Sequence, residues 1–118
     1  MKPAEAGRQG ELAAARYLEA LGCRILARSF RTRLGEIDLV MEERGTLVFV
    51  EVKTRRRTAV DDGRGAVDRN KQRRLIRAAG LFLARRRMAG RPCRFDVVLV
   101  APGSGGWAIR HLRDAFSS

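Results

Sequence analysis

The sequence predicts an α/β protein. Two stretches repeat apolar residues at helical spacing, five others read as strands by alternation or by a short apolar run, and they follow one another as α-β-β-β-α-β-β. A chain of 118 residues is long enough to bury one core but not two, so residues 1–118 are expected to form a single domain. There is no internal repeat and no low-complexity segment.

Ala4 to Leu21 reads as the first helix, because Ala14, Tyr17, Leu18 and Leu21 recur at i, i+3, i+4 and i+7, with Gly22 as its terminator. Glu11 is its anomaly. It shares a face with Ala14, Ala15 and Leu18, so a carboxylate projects from the apolar side; a first-turn glutamate favoured by the helix dipole explains the position equally well. Gly7 and Gly10 would let the helix start approach a sheet or a phosphate backbone closely. Cys23 to Phe30 supplies a first strand centred on Ile25 and Leu26.

The next stretch, GEIDLVMEERGTLVFVEVK from Gly35 to Lys53, carries most of the functional signal. Period-2 alternation puts Ile37, Leu39, Met41, Val48, Val50 and Val52 on one apolar face and Glu36, Asp38, Glu51 and Lys53 on the other. A hairpin centred on Arg44 and Gly45 sets Asp38 opposite Glu51 and Glu36 opposite Lys53. Cβ atoms so opposed lie roughly 4.5 to 5.5 Å apart, where like charges repel unless something compensates. A hard divalent cation such as Mg²⁺, which takes one or two carboxylates with waters and phosphate oxygens, is the natural compensator. Lys53 would sit on the same side, beside a metal-bound water or a developing phosphate charge.

The tract Lys53-Thr54-Arg55-Arg56-Arg57 follows, and Asp61, Asp62, Gly63 and Gly65 mark residues 58–66 as a loop, either one that closes on a substrate or a plain connector. Asp68 to Arg87 reads as the second helix, with Asp68 as N-cap, Leu75, Ala78, Ala79 and Phe82 as the apolar stripe, and Arg85, Arg86 and Arg87 at the C-terminal end. Lys71 shares the face of Leu75 and could reach the acidic edge of the sheet, although a solvated lysine is the simpler account. Pro92 introduces a buried strand from Cys93 to Ala101; the turn Pro102 to Gly106 leads to a short strand from Trp107 to His111. Asp96 is expected to be structural or on the surface, and His111 solvated or at the core edge.

The formal net charge of +12 and pI near 11.5 suit a polyanionic partner such as nucleic acid, though a ribosomal or membrane-surface protein can be as basic. Of the 25 basic residues only Lys2, Lys53 and Lys71 are lysines, which singles out Lys53: a partly buried lysine has an adjustable pKa where arginine does not. Cys23 and Cys93 form no C-x-x-C pair and have one histidine between them and a zinc site, so they read as small buried residues in a reducing compartment. Neither end reads as an export signal and no apolar run approaches ~20 residues. A cytoplasmic protein with no membrane partner is expected.

Asp38 with the Glu51-x-Lys53 triplet, the helix acid and the element order together resemble the PD-(D/E)xK nuclease superfamily. GEIDLV, VFVEVKTR, RFDVV near residue 94 and HLRDAF at residues 111–116 look like the bacterial YraN family, in the same order and over nearly the whole chain. That family is related to archaeal Holliday junction resolvases. The resemblance implies a restriction-endonuclease-like α-β-β-β-α-β core, a mixed central sheet flanked by helices. It implies Asp38 and Glu51 as ligands of Mg²⁺ or Mn²⁺, the Val52 carbonyl as a further ligand, Lys53 as the group that orients the attacking water, Glu11 as an assisting acid and Glu36 as a neighbouring one. The superfamily's proline before the metal-binding aspartate is Ile37 here.

The expected activity is metal-dependent hydrolysis of DNA phosphodiester bonds, selective for branched or irregular DNA. Arg55, Arg56 and Arg57, with Lys71, Arg73 and Arg74 of the second helix, would hold flanking phosphates largely without regard to base sequence. Symmetric cutting of a four-way junction needs two active sites, hence a homodimer, for which a strand edge near Trp107 offers a surface. The alternatives are a non-catalytic nucleic-acid-binding module of the same fold, and an RNA-processing or ribosome-associated factor.

Overall fold

The computed structural model describes residues 3–55 and 67–117. Its elements are α1 (Pro3–Ala20), β1 (Arg24–Arg31), β2 (Glu36–Glu43), β3 (Thr46–Thr54), α2 (Arg69–Arg85), β4 (Cys93–Gly103) and β5 (Gly106–Phe116). The order is the expected one. The strands form one sheet in the order β1-β2-β3-β4-β5, antiparallel except between β3 and β4. Parallel neighbours need a long crossover, and α2 lies within it. This mixed sheet between two helices is the restriction-endonuclease-like α/β core that the resemblance implied. Arg56, Arg57 and the loop at 58–66 lie outside the described residues.

The β2–β3 hairpin turns on Arg44 and Gly45, whose φ values are 51° and 86°. Two consecutive left-handed residues give the tight turn whose twist matches that of its strands. Pairing runs from Glu43 opposite Thr46 to Leu39 opposite Val50, the predicted register, and there it stops. Asp38 and Glu51 would be the next pair.

The faces differ from the sequence reading. Both faces of the central strands are apolar and covered. Ala14, Ala15 and Leu18 of α1 pack on Leu39, Met41, Val48, Val50, Val98 and Val100. On the other face Leu75, Ala78, Ala79 and Phe82 of α2 pack on Val40, Leu47, Phe49, Phe95, Val97 and Leu99. Phe82 meets Phe30 and Phe49 edge-on, at centroid distances of 5.2 and 5.9 Å, a favoured aromatic geometry. The supposed acidic face is thus confined to the strand ends beyond this core.

Ile37 also breaks the alternation, since it joins the α2-side cluster while Leu39, two residues on, belongs to the α1 side. The cause lies in β1. Arg28 pairs with Leu39 and Phe30 with Ile37, so the pair skipped between them is Ser29 and Asp38. Ser29 has φ 50°, a left-handed conformation that turns the strand out of its pleat. Both strands shift phase there together, and β2 follows β1 away from β3.

The last strand extends well past His111 to Phe116, with a bulge at the Phe95/Val97 step and Asp114 at φ 50°. His111 is buried, not solvated: its side chain is 4% exposed and its Nε2 lies 2.7 Å from Asp96 Oδ2. Asp96 is fully buried and structural; it also accepts from Arg94 and from the Asp114 N–H. Cys23 is buried, but Cys93 at the strand start is exposed, contrary to expectation. Trp107 is half-buried against the α1-side core and lies on β5, an outer strand of the sheet. No helix among the described residues is long and apolar enough to cross a membrane.

Candidate metal centre

Where β2 parts from β3, the strand ends form a fork, and Asp38 sits in it. Its Oδ2 accepts a hydrogen bond of 2.8 Å from the Val52 N–H, so a side chain takes the place that a ladder carbonyl occupies elsewhere. The N–H and C=O of one strand residue leave by the same edge. The Val52 carbonyl therefore faces the same opening.

Glu51 precedes it on β3 and points to the α2 side, where its register partner Val97 also lies. It is 5% exposed, and its Oε2 makes no hydrogen bond. Burial, a hydrogen bond with Asp38 and the charge of Asp38 push its pKa up to about 8, against the pull of Lys71. Lys71 Nζ stands 3.2 Å from that Oε2. The contact is an ion pair by distance but lacks hydrogen-bond alignment, so it supplies charge without satisfying the oxygen.

Glu11 reaches Asp38 from the opposite layer. Its pKa is raised to about 6 by burial, by the charge of Asp38, by a hydrogen bond with it and by Glu36. The approach depends on Gly10: a Cβ there would stand 2.3 Å from Thr54 Oγ1 and 2.8 Å from Val100 Cγ2. The predicted close approach is thus real for Gly10, whereas Gly7 has open space around it. Gly35, just ahead of the site, is equally confined, since a Cβ would lie 2.9 Å from the Arg74 carbonyl oxygen.

The remaining predicted residues fall around this centre. Lys53 is half-buried on the face of Glu51, in register with Leu99 of β4. Glu36 is not opposite Lys53 within the ladder; its carboxylate faces Arg31 of β1 at 3.5 Å. The fork opens before that pairing can form. Arg55 continues along β4 through its N–H to the Val100 carbonyl, at 2.7 Å. Arg73 and Arg74 are exposed on α2, with Arg73 donating to Asn70. Lys71 reaches the acidic end of the sheet, as its shared face with Leu75 allows, and stands at Glu51. Sequence reasoning missed Ser29, whose left-handed turn sets Asp38 in the fork; no periodic signal marks it.

The donors suit a hard divalent cation on two counts. They are all oxygens, and the buried Oε2 of Glu51 lacks the hydrogen bond that such an atom ordinarily finds. Among the described residues no three His, Cys, Asp or Glu side chains converge as a closed metal cage. An open site with two carboxylates is the form in which Mg²⁺ meets a phosphate substrate.

Comparison with known proteins adds a family. The model of the uncharacterised protein family UPF0102 matches residues 10–100. A UPF0102 protein of Symbiobacterium thermophilum is 55% identical over 111 residues, covering 93% of this chain and 94% of the relative. One of Nitrosococcus oceani is 47% identical over 120 residues, covering 98% and 97%, and one of Stutzerimonas stutzeri 45% over 113 residues, covering 95% and 94%. These names carry the family designation and no activity.

Proposed function

The chain belongs to the uncharacterised protein family UPF0102, the YraN family its motifs resemble, and from its fork of carboxylates we propose that it is a metal-dependent endonuclease acting on branched DNA. One observation carries the reading: Asp38 is fixed by the Val52 N–H against a buried Glu51 whose Oε2 is left without a hydrogen bond. Two carboxylates held together at such cost call for a dication.

Asp38 and Glu51 would hold Mg²⁺ or Mn²⁺, with the Val52 carbonyl at the same opening. When bound, such an ion supplies Lewis acidity toward a phosphoryl oxygen and lowers the pKa of water. Lys53 contributes a positioned positive charge for the attacking water or the charge that builds on the phosphate. Glu11 holds Asp38 in place and, with its raised pKa, carries or releases a proton near neutrality. Arg55, Arg73 and Arg74, with Arg56 and Arg57 of the same tract, neutralise flanking phosphates. They read the backbone, so shape has to provide selectivity. By the resolvase analogy the working unit is a homodimer.

A second reading, a non-catalytic nucleic-acid-binding module, is favoured by the Lys71–Glu51 ion pair, which balances part of the site's charge without any metal. The test is cleavage of labelled four-way junction, flap, single-stranded and linear duplex DNA with Mg²⁺ or Mn²⁺, beside Glu51→Ala, with RNA as competitor. Metal-dependent cuts that vanish in the variant, branched substrates first, support the nuclease. Tight binding without cutting by either protein selects the module, and preference for RNA selects neither.

A further inference from the structure

We propose that Lys71 is an exchangeable internal cation: it occupies the Glu51 carboxyl group in the metal-free protein and yields it to a divalent cation. The inference rests on the metal-centre reading and assigns a role to a residue that the sequence places among the phosphate contacts. The two partners differ sharply in freedom. Glu51 is 5% exposed and fixed on a central strand, whereas the Lys71 side chain is 36% exposed and comes from another layer. The lysine backbone is anchored by the N-cap, Lys71 N–H to Asp68 Oδ1 at 2.8 Å, and only its long side chain leans in. Lysine is a compact charge on a flexible stem, able to withdraw without disturbing strand or helix.

The contact itself has the form of a placeholder. At 3.2 Å from Oε2 it supplies attraction but no aligned hydrogen bond. The oxygen facing the ammonium is thus the one with an unused acceptor site. Asp38 Oδ2, by contrast, is committed to the Val52 N–H. Removing the lysine charge should strengthen metal binding even where a proton takes its place at Glu51, because a dication feels the vanished charge twice as strongly as a proton does.

The test is isothermal titration of Mn²⁺ into the intact protein and into Lys71→Gln, Lys71→Arg, Arg77→Gln and Glu51→Gln. Lys71→Gln is expected to bind about tenfold more tightly than wild type. Lys71→Arg keeps the charge and does not tighten binding, and Arg77→Gln, an exposed charge on the same helix, leaves it near wild type. Mn²⁺ should also raise the urea midpoint more in Lys71→Gln than in wild type, a comparison internal to each protein that holds even if the variant is less stable. Unchanged or weaker binding by Lys71→Gln overturns the exchange; if Glu51→Gln still abolishes binding, the metal centre itself stands. No Mn²⁺ uptake by any of the proteins overturns both.

Discussion

Replacing Glu51 by glutamine should stabilise the metal-free protein, and do so increasingly as pH rises. The folded carboxyl has its pKa raised from 4.5 to about 8, chiefly by burial and then by Asp38. Between those values the native state keeps a proton that the unfolded chain releases, so stability falls with rising pH. The slope for one proton is at most about 1.36 kcal/mol per pH unit, which sets a ceiling of roughly 4 kcal/mol between about pH 5 and about pH 8. Glutamine also leaves the Lys71 ammonium without its partner charge, which offsets part of the gain and leaves about 1–3 kcal/mol at about pH 8 and little at about pH 5. Glutamine keeps the shape and brings no charge to desolvate. Urea melts in chelator measure this, as a midpoint shift on the order of 1 M at the higher pH. A variant less stable than wild type at about pH 8, or equally favoured at both pH values, refutes the account of Glu51. Added Mn²⁺ should reverse the ranking, since only the wild type retains the full donor set.

Ser29→Val places a β-branched residue at φ 50°, at a cost of about 1–3 kcal/mol. It should weaken Mn²⁺ binding by straightening the strands around Asp38, whereas Ser29→Gly retains both; calorimetric titration separates them. Gly10→Ala drives a Cβ into Thr54 and Val100 and should cost about 1–3 kcal/mol despite alanine's better helix propensity, partly regained on Thr54→Ala, as read by thermal melts. Asp96 has its pKa lowered: burial opposes its charge, but His111, Arg94 and the Asp114 N–H outweigh burial. Its contribution is therefore present at neutral pH and lost as pH falls below the unfolded carboxyl's value toward the folded one. Asp96→Asn should cost about 3–5 kcal/mol near neutrality and flatten the acid limb of a pH melt series.

What the sequence disclosed follows from locality. Leu75, Ala78, Ala79 and Phe82 announce a helix face through a spacing that any partner layer would read the same way, and Arg44-Gly45 announces a turn that depends on two residues. Asp68 is the N-cap because its side chain reaches three residues on. The errors come from partners distant in sequence. Period-2 reading assumes an unbroken pleat, and the break at Asp38 is caused by Ser29 across the sheet. The second face of β2 and β3 looked acidic because only its ends are; its apolar middle is declared by α2. From sequence Asp96 reads as structural or surface and His111 as solvated or core-edge, and only the register of β4 and β5 decides for a buried pair. The two central carboxylates and Lys53 stand out because one hairpin carries them; helical spacing puts Lys71 on a face that could reach the acidic edge of the sheet, but which acid it meets is set across layers.

The two outer strands share a habit with a bearing on self-association. β1 has a bulge between Ile25 and Ala27 and the left-handed Ser29; β5 has its own bulge and the left-handed Asp114. Exposed Arg24, Arg28 and Arg31 line the first edge, and Arg110 and Arg113 the other. A neighbouring copy needs a flat, regular row of free amides and carbonyls to extend a sheet; the bulge and Ser29 break the first rim within a few residues, and on β5 the regular run from Gly106 to Leu112 carries the exposed Arg110 and ends at a bulge. Crowded molecules of this protein should therefore resist stacking edge to edge into fibrils.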